Sequence, residues 1–198
     1  MPSQGTPWFN SRGKRVLDTL VSFLLLLLLA PVCVVIVLAI RLDSVGPALF
    51  RQGRVGRNGT VFILLKFRTM YVDAPELSTA EMLRQKRNMV TRVGRFLRRT
   101  SLDELPQLIN VIRGEMSLVG PRPALPSQEV VNSLRDAAGV HDLLPGITGW
   151  AQVNGRDDLS DEEKVAHDTY YRAHASPALD FRILWRTVAE VGSGRGTR

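Results

Sequence analysis

Two adjacent carboxylates, Asp103 and Glu104, sit behind a pair of arginines, Arg98 and Arg99. This set suits chemistry at phosphorus. An ionised carboxylate can attack phosphorus to form an acyl-phosphate, while a second can hold a divalent metal that offsets phosphate charge. Guanidinium groups alongside can clamp a pyrophosphate. Spacing predicts a helix from about Asp103 to Arg113, with Leu105, Leu108, Ile109 and Ile112 as its apolar stripe. Ser101 and Glu104 match a capping box that would start this helix, and Pro106 falls in its first turns, where a missing N–H costs little. The helix dipole there favours ionised acids. Successive side chains on a helix diverge by ~100°, so the two acids suit separate tasks better than a shared proton. Acids at a helix start also serve a purely electrostatic role, and the pair alone does not choose between the two.

Other catalytic signatures are missing. The chain has no Walker A loop, no G-x-S-x-G elbow, no C-x-x-C and no H-E-x-x-H. His141, His167 and His174 form no ligand-spaced cluster, and Gly53, Gly56 and Gly59 read as turn residues. Cys33 is the only cysteine, which excludes disulfide scaffolds and cysteine metal sites. A formal net charge of +7 points to an anionic partner: a phospholipid surface, a phosphorylated substrate or nucleic acid. At 198 residues the chain holds one compact domain.

The elements that must position the acids begin with an apolar run. Thr19 to Ile40 carries no charge, and ~33 Å of helix would cover a bilayer core of ~30 Å. Pro31 interrupts it and favours a kink. Arg12, Lys14 and Arg15 precede the run, while Arg41, Arg51, Arg54 and Arg57 follow it. Positive residues favour the cytoplasmic side, so two basic flanks suit a segment that enters, bends at Ala30-Pro31 and returns. A kinked spanning helix satisfies the same sequence.

Further on, Leu49–Arg54 and Val61–Arg68 read as strands of a hairpin turning at Asn58-Gly59. Tyr71 to Glu81 has loop character. Arg84 to Arg99 is basic without an acid, with Val93, Phe96 and Leu97 at helical spacing, which suits an amphipathic helix on a membrane or a solvated charged face. Val119–Pro123 reads as a rigid loop and Gln128–Ala138 as a helix. Ser160 and Glu163 cap another helix running to His174, and Ser176-Pro177 opens a last one with Leu179, Ile183, Leu184 and Val188 on one side.

Together these segments resemble the bacterial sugar transferase family, small monotopic phosphoglycosyl transferases. The match includes Lys14-Arg-Val-Leu-Asp18, Gly46-Pro47, Gln52, Gly56 and Lys66-Phe-Arg-Thr-Met70. It continues through Thr100–Asn110, Met116–Pro123 and Pro145–Arg156. The resemblance implies an α+β, mostly helical monotopic membrane protein with a proline-bent re-entrant helix over 14–43, a small β-hairpin and amphipathic interfacial helices. A catalytic domain over 44–191 would lie on the cytoplasmic face of the bacterial inner membrane, between a flexible N-terminus (1–13) and a flexible tail (192–198).

The implied reaction moves sugar-1-phosphate from a UDP-sugar to polyprenyl (undecaprenyl) phosphate and releases UMP. Asp103 would be the nucleophile that carries a covalent phosphosugar. Glu104, with Asp103, would hold Mg²⁺. Arg98 and Arg122 would lie near the phosphates and nucleotide, and Lys66, Gln152 and Arg156 fall in substrate-binding motifs. Membrane lipids are expected partners, nucleic acid is not, and a homodimer is allowed. Ala30 and Leu144 depart from the family pattern, which often has serine before the bend and a basic residue before Pro145-Gly146. The competing reading is a membrane-anchored basic module that binds anionic lipid or nucleic acid without catalysis.

Overall fold

The computed structural model describes residues 7–72, 89–155 and 158–193. A 3-10 turn, Trp8–Asn10, leads into helix α1, Arg12–Asp43, whose first N–H groups are capped by Ser11 Oγ accepting from Lys14 N at 3.1 Å. The helix therefore begins inside the stretch expected as a flexible N-terminus. Strands β1 (Leu49–Val55) and β2 (Val61–Phe67) form the expected hairpin, pairing Leu49 with Phe67 and Val55 with Val61. Asn58 and Gly59 turn it with φ of 55° and 72°, the left-handed region such residues tolerate.

Helix α2 (Arg92–Arg99), helix α3 (Gln107–Arg113) and strand β3 (Ser117–Val119) follow. Helix α4 (Glu129–Ala137), strand β4 (Gly146–Thr148), and helices α5 (Asp161–His174) and α6 (Pro177–Ser193) complete the chain. The fold is mostly helical with two small sheets. The second sheet, a parallel β3–β4 pair, was not visible in the sequence: each strand has three residues, and they meet only in three dimensions. Residues 73–88, where the loop and the start of the basic stretch were read, lie outside the described residues. Helix α6 continues to Ser193, past the expected start of the tail.

Local signals succeed where the chemistry is short-range. The Ser160 capping box forms as read, with Glu163 N donating to Ser160 Oγ and Ser160 N donating to Glu163 Oε2. The box expected at Ser101 does not form. Ser101 is left-handed (φ 55°) and makes no side-chain cap; the chain passes through a 3-10 turn, Leu102–Glu104, and α3 starts four residues later than expected, at Gln107. The buried face of α3 is Gln107, Leu108, Asn110 and Val111, with Leu105, Ile109 and Ile112 only half-buried. On α6, Leu179 and Ile183 are buried, but Val188 points outward with Phe181 and Trp185, so this helix has a second apolar face. On α2, Leu97 is buried and Phe96 exposed.

Helix α1 is the one described helix long and apolar enough to cross a membrane, with Leu24, Leu27, Leu28, Val34 and Val35 exposed. It is assigned as one helix with Pro31 inside it. Both its ends are tied to the rest of the molecule. Near its start, Arg15 donates to the carbonyls of Val111 (2.6 Å) and Ile112 (2.9 Å), a cation on the C-terminal end of α3. Lys14 lies buried between Asp18 (3.3 Å) and Asp180 (2.8 Å). Ser117 Oγ donates to Asp18, and Tyr171 Oη and Trp8 Nε1 both donate to Asp180. Near its other end, Ile36 and Ile40 pack with Ala48, Phe67 and Leu97, and Val93 N donates to Asp43 at 3.0 Å.

Among the described residues, Lys14 is the only cation within 4 Å of either carboxylate in this buried group. Replacing it by methionine leaves two buried acids uncompensated, which costs ~3–5 kcal/mol. The urea midpoint of Lys14→Met in detergent micelles should fall accordingly; an unshifted midpoint would refute this role.

Candidate active site

Four elements deliver the site. Strand β2 carries Lys66, the 3-10 turn after Ser101 carries Asp103 and Glu104, the loop after β3 carries Arg122, and helix α2 carries Arg98. Asn110, fully buried on α3, fixes the first two relative to each other. Its Oδ1 accepts from Leu65 N at 3.0 Å and its Nδ2 donates to Ile63 O at 2.8 Å, replacing strand partners that β2 lacks on that edge. Sequence reasoning passed over Asn110, because an asparagine within an apolar stripe signals nothing until its strand neighbour is known.

The geometry brings five expected residues together. Lys66 Nζ lies 2.7 Å from Glu104 Oε1 and 3.9 Å from Asp103 Oδ2. Arg122 Nη1 lies 3.4 Å from the same Glu104 oxygen. Arg98 donates through Nε to Thr69 Oγ1 at 2.9 Å, and its charge interacts with Asp103. Arg98 reaches this place because Gly94 lets α2 lie directly on the Thr69 backbone, where any Cβ would overlap the Thr69 carbonyl. The two acids do not diverge as expected of helical neighbours. The left-handed residue before them and the tight 3-10 turn leave both carboxylates facing one ammonium group.

Their electrostatics differ. Burial pushes the Asp103 carboxyl above the ordinary range; Lys66, and less strongly Arg98 and Arg122, pull against this, while Glu104 adds to it. Burial works on Glu104 too, but Lys66 and Arg122 outweigh it and hold this carboxyl at about 2. One acid is thus neutralised by direct cation contact. The other is buried, ionisable and less well compensated.

The remaining expected residues lie elsewhere. Gln152 is buried against Gly149, with neither amide atom partnered, and no contact joins it to the carboxylates among the described residues. Arg156 lies outside the described residues, and Ala30 and Pro31 lie within the exposed length of α1. Arg54, read only as a flanking charge, instead donates to Pro123 O at 3.1 Å and to Gln52 Oε1 at 2.6 Å.

Among the described residues no group of three or more His, Cys, Asp or Glu side chains could hold a metal. Magnesium does not require one: it commonly binds one or two carboxylates and completes its shell with water and substrate phosphates. Asp103 and Glu104 supply the one or two carboxylates of that mode, with the Lys66 ammonium lying between them.

A helix long and apolar enough to cross a membrane, a formal net charge of +7 and paired acids set against cations suit chemistry on anionic groups. The chain matches the bacterial sugar transferase family over residues 9–194 and belongs to it. It is 46% identical over 187 residues to an undecaprenyl-phosphate glucose phosphotransferase of Komagataeibacter xylinus, covering 88% of this chain and 35% of that protein. It is 44% identical over 184 residues to the UDP-glucose:undecaprenyl-phosphate glucose-1-phosphate transferase of Caulobacter vibrioides, covering 88% of this chain and 68% of the relative. It is also 39% identical to the exopolysaccharide production protein ExoY of Rhizobium meliloti, covering 93% of this chain and 88% of that one. The chain thus spans only about a third of the first relative's length.

Proposed function

We propose that this protein transfers sugar-1-phosphate from a UDP-sugar to polyprenyl phosphate through a phosphosugar carried on Asp103. The observation that supports it most directly is the pair of acids set against Lys66, Arg98 and Arg122, in a domain fastened to a membrane helix. The names of the relatives supply the substrate class: UDP-glucose as donor and undecaprenyl phosphate as acceptor.

The proposed reaction has two displacements. A carboxylate oxygen of Asp103 attacks the β-phosphorus of the nucleotide sugar; the bond from that phosphorus to the bridging oxygen breaks, and UMP leaves with the electron pair. An oxygen of the lipid phosphate then attacks the same phosphorus. The acyl-phosphate P–O bond breaks, Asp103 is regenerated, and the sugar leaves on a polyprenyl diphosphate. A buried carboxylate with a raised pKa is a better nucleophile than a solvated one, provided it is ionised at working pH. Arg98 and Arg122 orient and neutralise the diphosphate, and Lys66 holds Glu104 while it supports the ionised state of Asp103. Mg²⁺, held by Glu104 and Asp103, would offset the charge of the transferring phosphoryl group.

The membrane arrangement is part of this proposal. A straight helix of 32 residues would be ~48 Å long. Were it to span, Lys14 and Asp43 would face opposite sides of the bilayer, yet both are bonded to the same domain. Pro31 cannot donate to the Leu27 carbonyl, so the helix is weakest at its middle. These features support a re-entrant α1, with both basic flanks on the cytoplasmic face. The outward apolar residues of α2 and α6, Phe96, Phe181, Trp185 and Val188, suit the headgroup boundary.

Three outcomes check the proposal. Asp103→Asn, held in nanodiscs with UDP-glucose, Mg²⁺ and undecaprenyl phosphate, should release no UMP; wild-type enzyme given donor alone should gain a phosphohexose mass on the Asp103 peptide. UMP release by the variant would remove Asp103 from the mechanism. The acidic limb of the pH–rate profile should report Asp103, activity falling as its carboxylate takes a proton. Because Lys66 lowers that pKa, Lys66→Met should move the limb to higher pH, and an unmoved limb would remove Lys66 from this role. Single cysteines at Asn10 and Thr60, with Cys33 replaced, should label from the same membrane face; labelling from opposite faces would exclude re-entrance.

A further inference from the structure

The loop that carries Arg122 has an unusual support. Pro121 and Pro123 offer no N–H, so the segment cannot brace itself with a turn of its own. Instead, four successive carbonyls are held from outside. Pro121 O accepts from Gly146 N at 2.9 Å and Arg122 O from Arg135 Nη1 at 2.8 Å. Pro123 O accepts from Arg54 Nη1 at 3.1 Å and Ala124 O from Val55 N at 2.9 Å.

The bond to Arg122 itself comes from a buried side chain. Arg135, on α4, is 6% exposed, and its partner Asp168, on α5, is 1% exposed. Arg135 Nε and Nη2 both donate to Asp168 Oδ2, at 3.0 and 2.7 Å. A pair serving only to join α4 to α5 would need no more than this. The planar guanidinium has a further arm, and with its plane fixed by Asp168 that arm has one direction available: the carbonyl of Arg122. A lysine would place a point charge on Asp168 without a second arm of fixed direction.

We infer that Arg135 is a positioning residue: anchored on Asp168, it sets the backbone of Arg122 and thereby the reach of the Arg122 guanidinium over Glu104. This rests on the assignment of Arg122 to the phosphates of the nucleotide sugar. Arg135 touches neither substrate nor the reacting atoms. Its effect is on where a substrate-binding cation starts from, and a misplaced cation weakens binding before it alters chemistry.

The test is a cycle of variants of the full chain in nanodiscs, with UDP-glucose as the varied substrate. Arg135→Lys should raise KM for UDP-glucose roughly tenfold, the size of one charge-assisted hydrogen bond. Its kcat should change less than its KM, and the variant should remain folded by circular dichroism. Arg135→Met combined with Asp168→Leu replaces the buried ion pair by apolar contact, a swap that tends to preserve stability, and removes the donor. It should show the same rise in KM. Added to Arg122→Ala, either change should have no further effect, since Arg135 acts through Arg122. A folded Arg135 variant with KM within twofold of the parent would overturn the inference, as would effects that multiply with that of Arg122→Ala. If Arg122→Ala itself leaves KM unchanged, the assignment of Arg122 fails, and the positioning role falls with it. That result differs from one in which Arg122 matters and Arg135 does not.

Discussion

The molecule is organised around a buried charge cluster with one cation and two anions. Lys14 sits between Asp18 and Asp180, and burial of this kind is tolerable only because hydrogen bonds supply what a second cation would. Trp8, Tyr171 and Ser117 donate those bonds, and they come from the segment before α1, from α5 and from β3. With Asp180 on α6, the cluster therefore joins α1 to four other parts of the chain at one point. A lipid phosphate is confined to the interface, so a group that meets it must be held at one depth. In the proposed reaction, fixing α1 by directional bonds, and not by apolar packing alone, would supply that depth.

From this point the path to the site is short and stiff. Ser117 opens β3, Tyr171 Oη also donates to Val119 O at 3.3 Å, and three residues further on is Arg122. Between them Gly120 crosses the chain at Gly146 and Gly149 so closely that a Cβ on any of the three would meet backbone. Such a crossing allows little sliding. On the opposite side, Asn110 joins α3 to β2, and so fixes Lys66 relative to the turn carrying Asp103. The two halves meet at Glu104, held by Lys66 from one and Arg122 from the other.

What was legible in the sequence divides along the range of the interactions. The hairpin and the Ser160 cap were readable because their determinants lie within a few residues of one another. The nearness of Arg98 to the paired acids was readable for the same reason. Ser101 misled because its pattern is that of a cap, whereas its backbone is left-handed (φ 55°) and its side chain makes no cap bond. The β3–β4 pair, the Asn110 link and the Arg135–Asp168 pair were not readable. Their partners lie about 30 to 50 residues apart in sequence, and polar residues at those positions look like any others until the fold brings them together.

The last of these constraints separates two acids that are identical in type of charge and adjacent in sequence. Had Asp103 and Glu104 diverged from a helix start, each would have met a different environment, and their roles would have followed from direction. In the folded chain they share an environment and differ in distance. Lys66 is 2.7 Å from Glu104 and 3.9 Å from Asp103, and Arg122 lies 3.4 Å from Glu104. The longer side chain of glutamate is what allows it to curl back to both cations from the adjacent position. Glu104 is thereby committed as a neutralised, ionised anchor, while Asp103 keeps a carboxylate that burial has made more basic. In the proposed reaction, exchanging the two residue types would reverse the side-chain lengths and with them this difference.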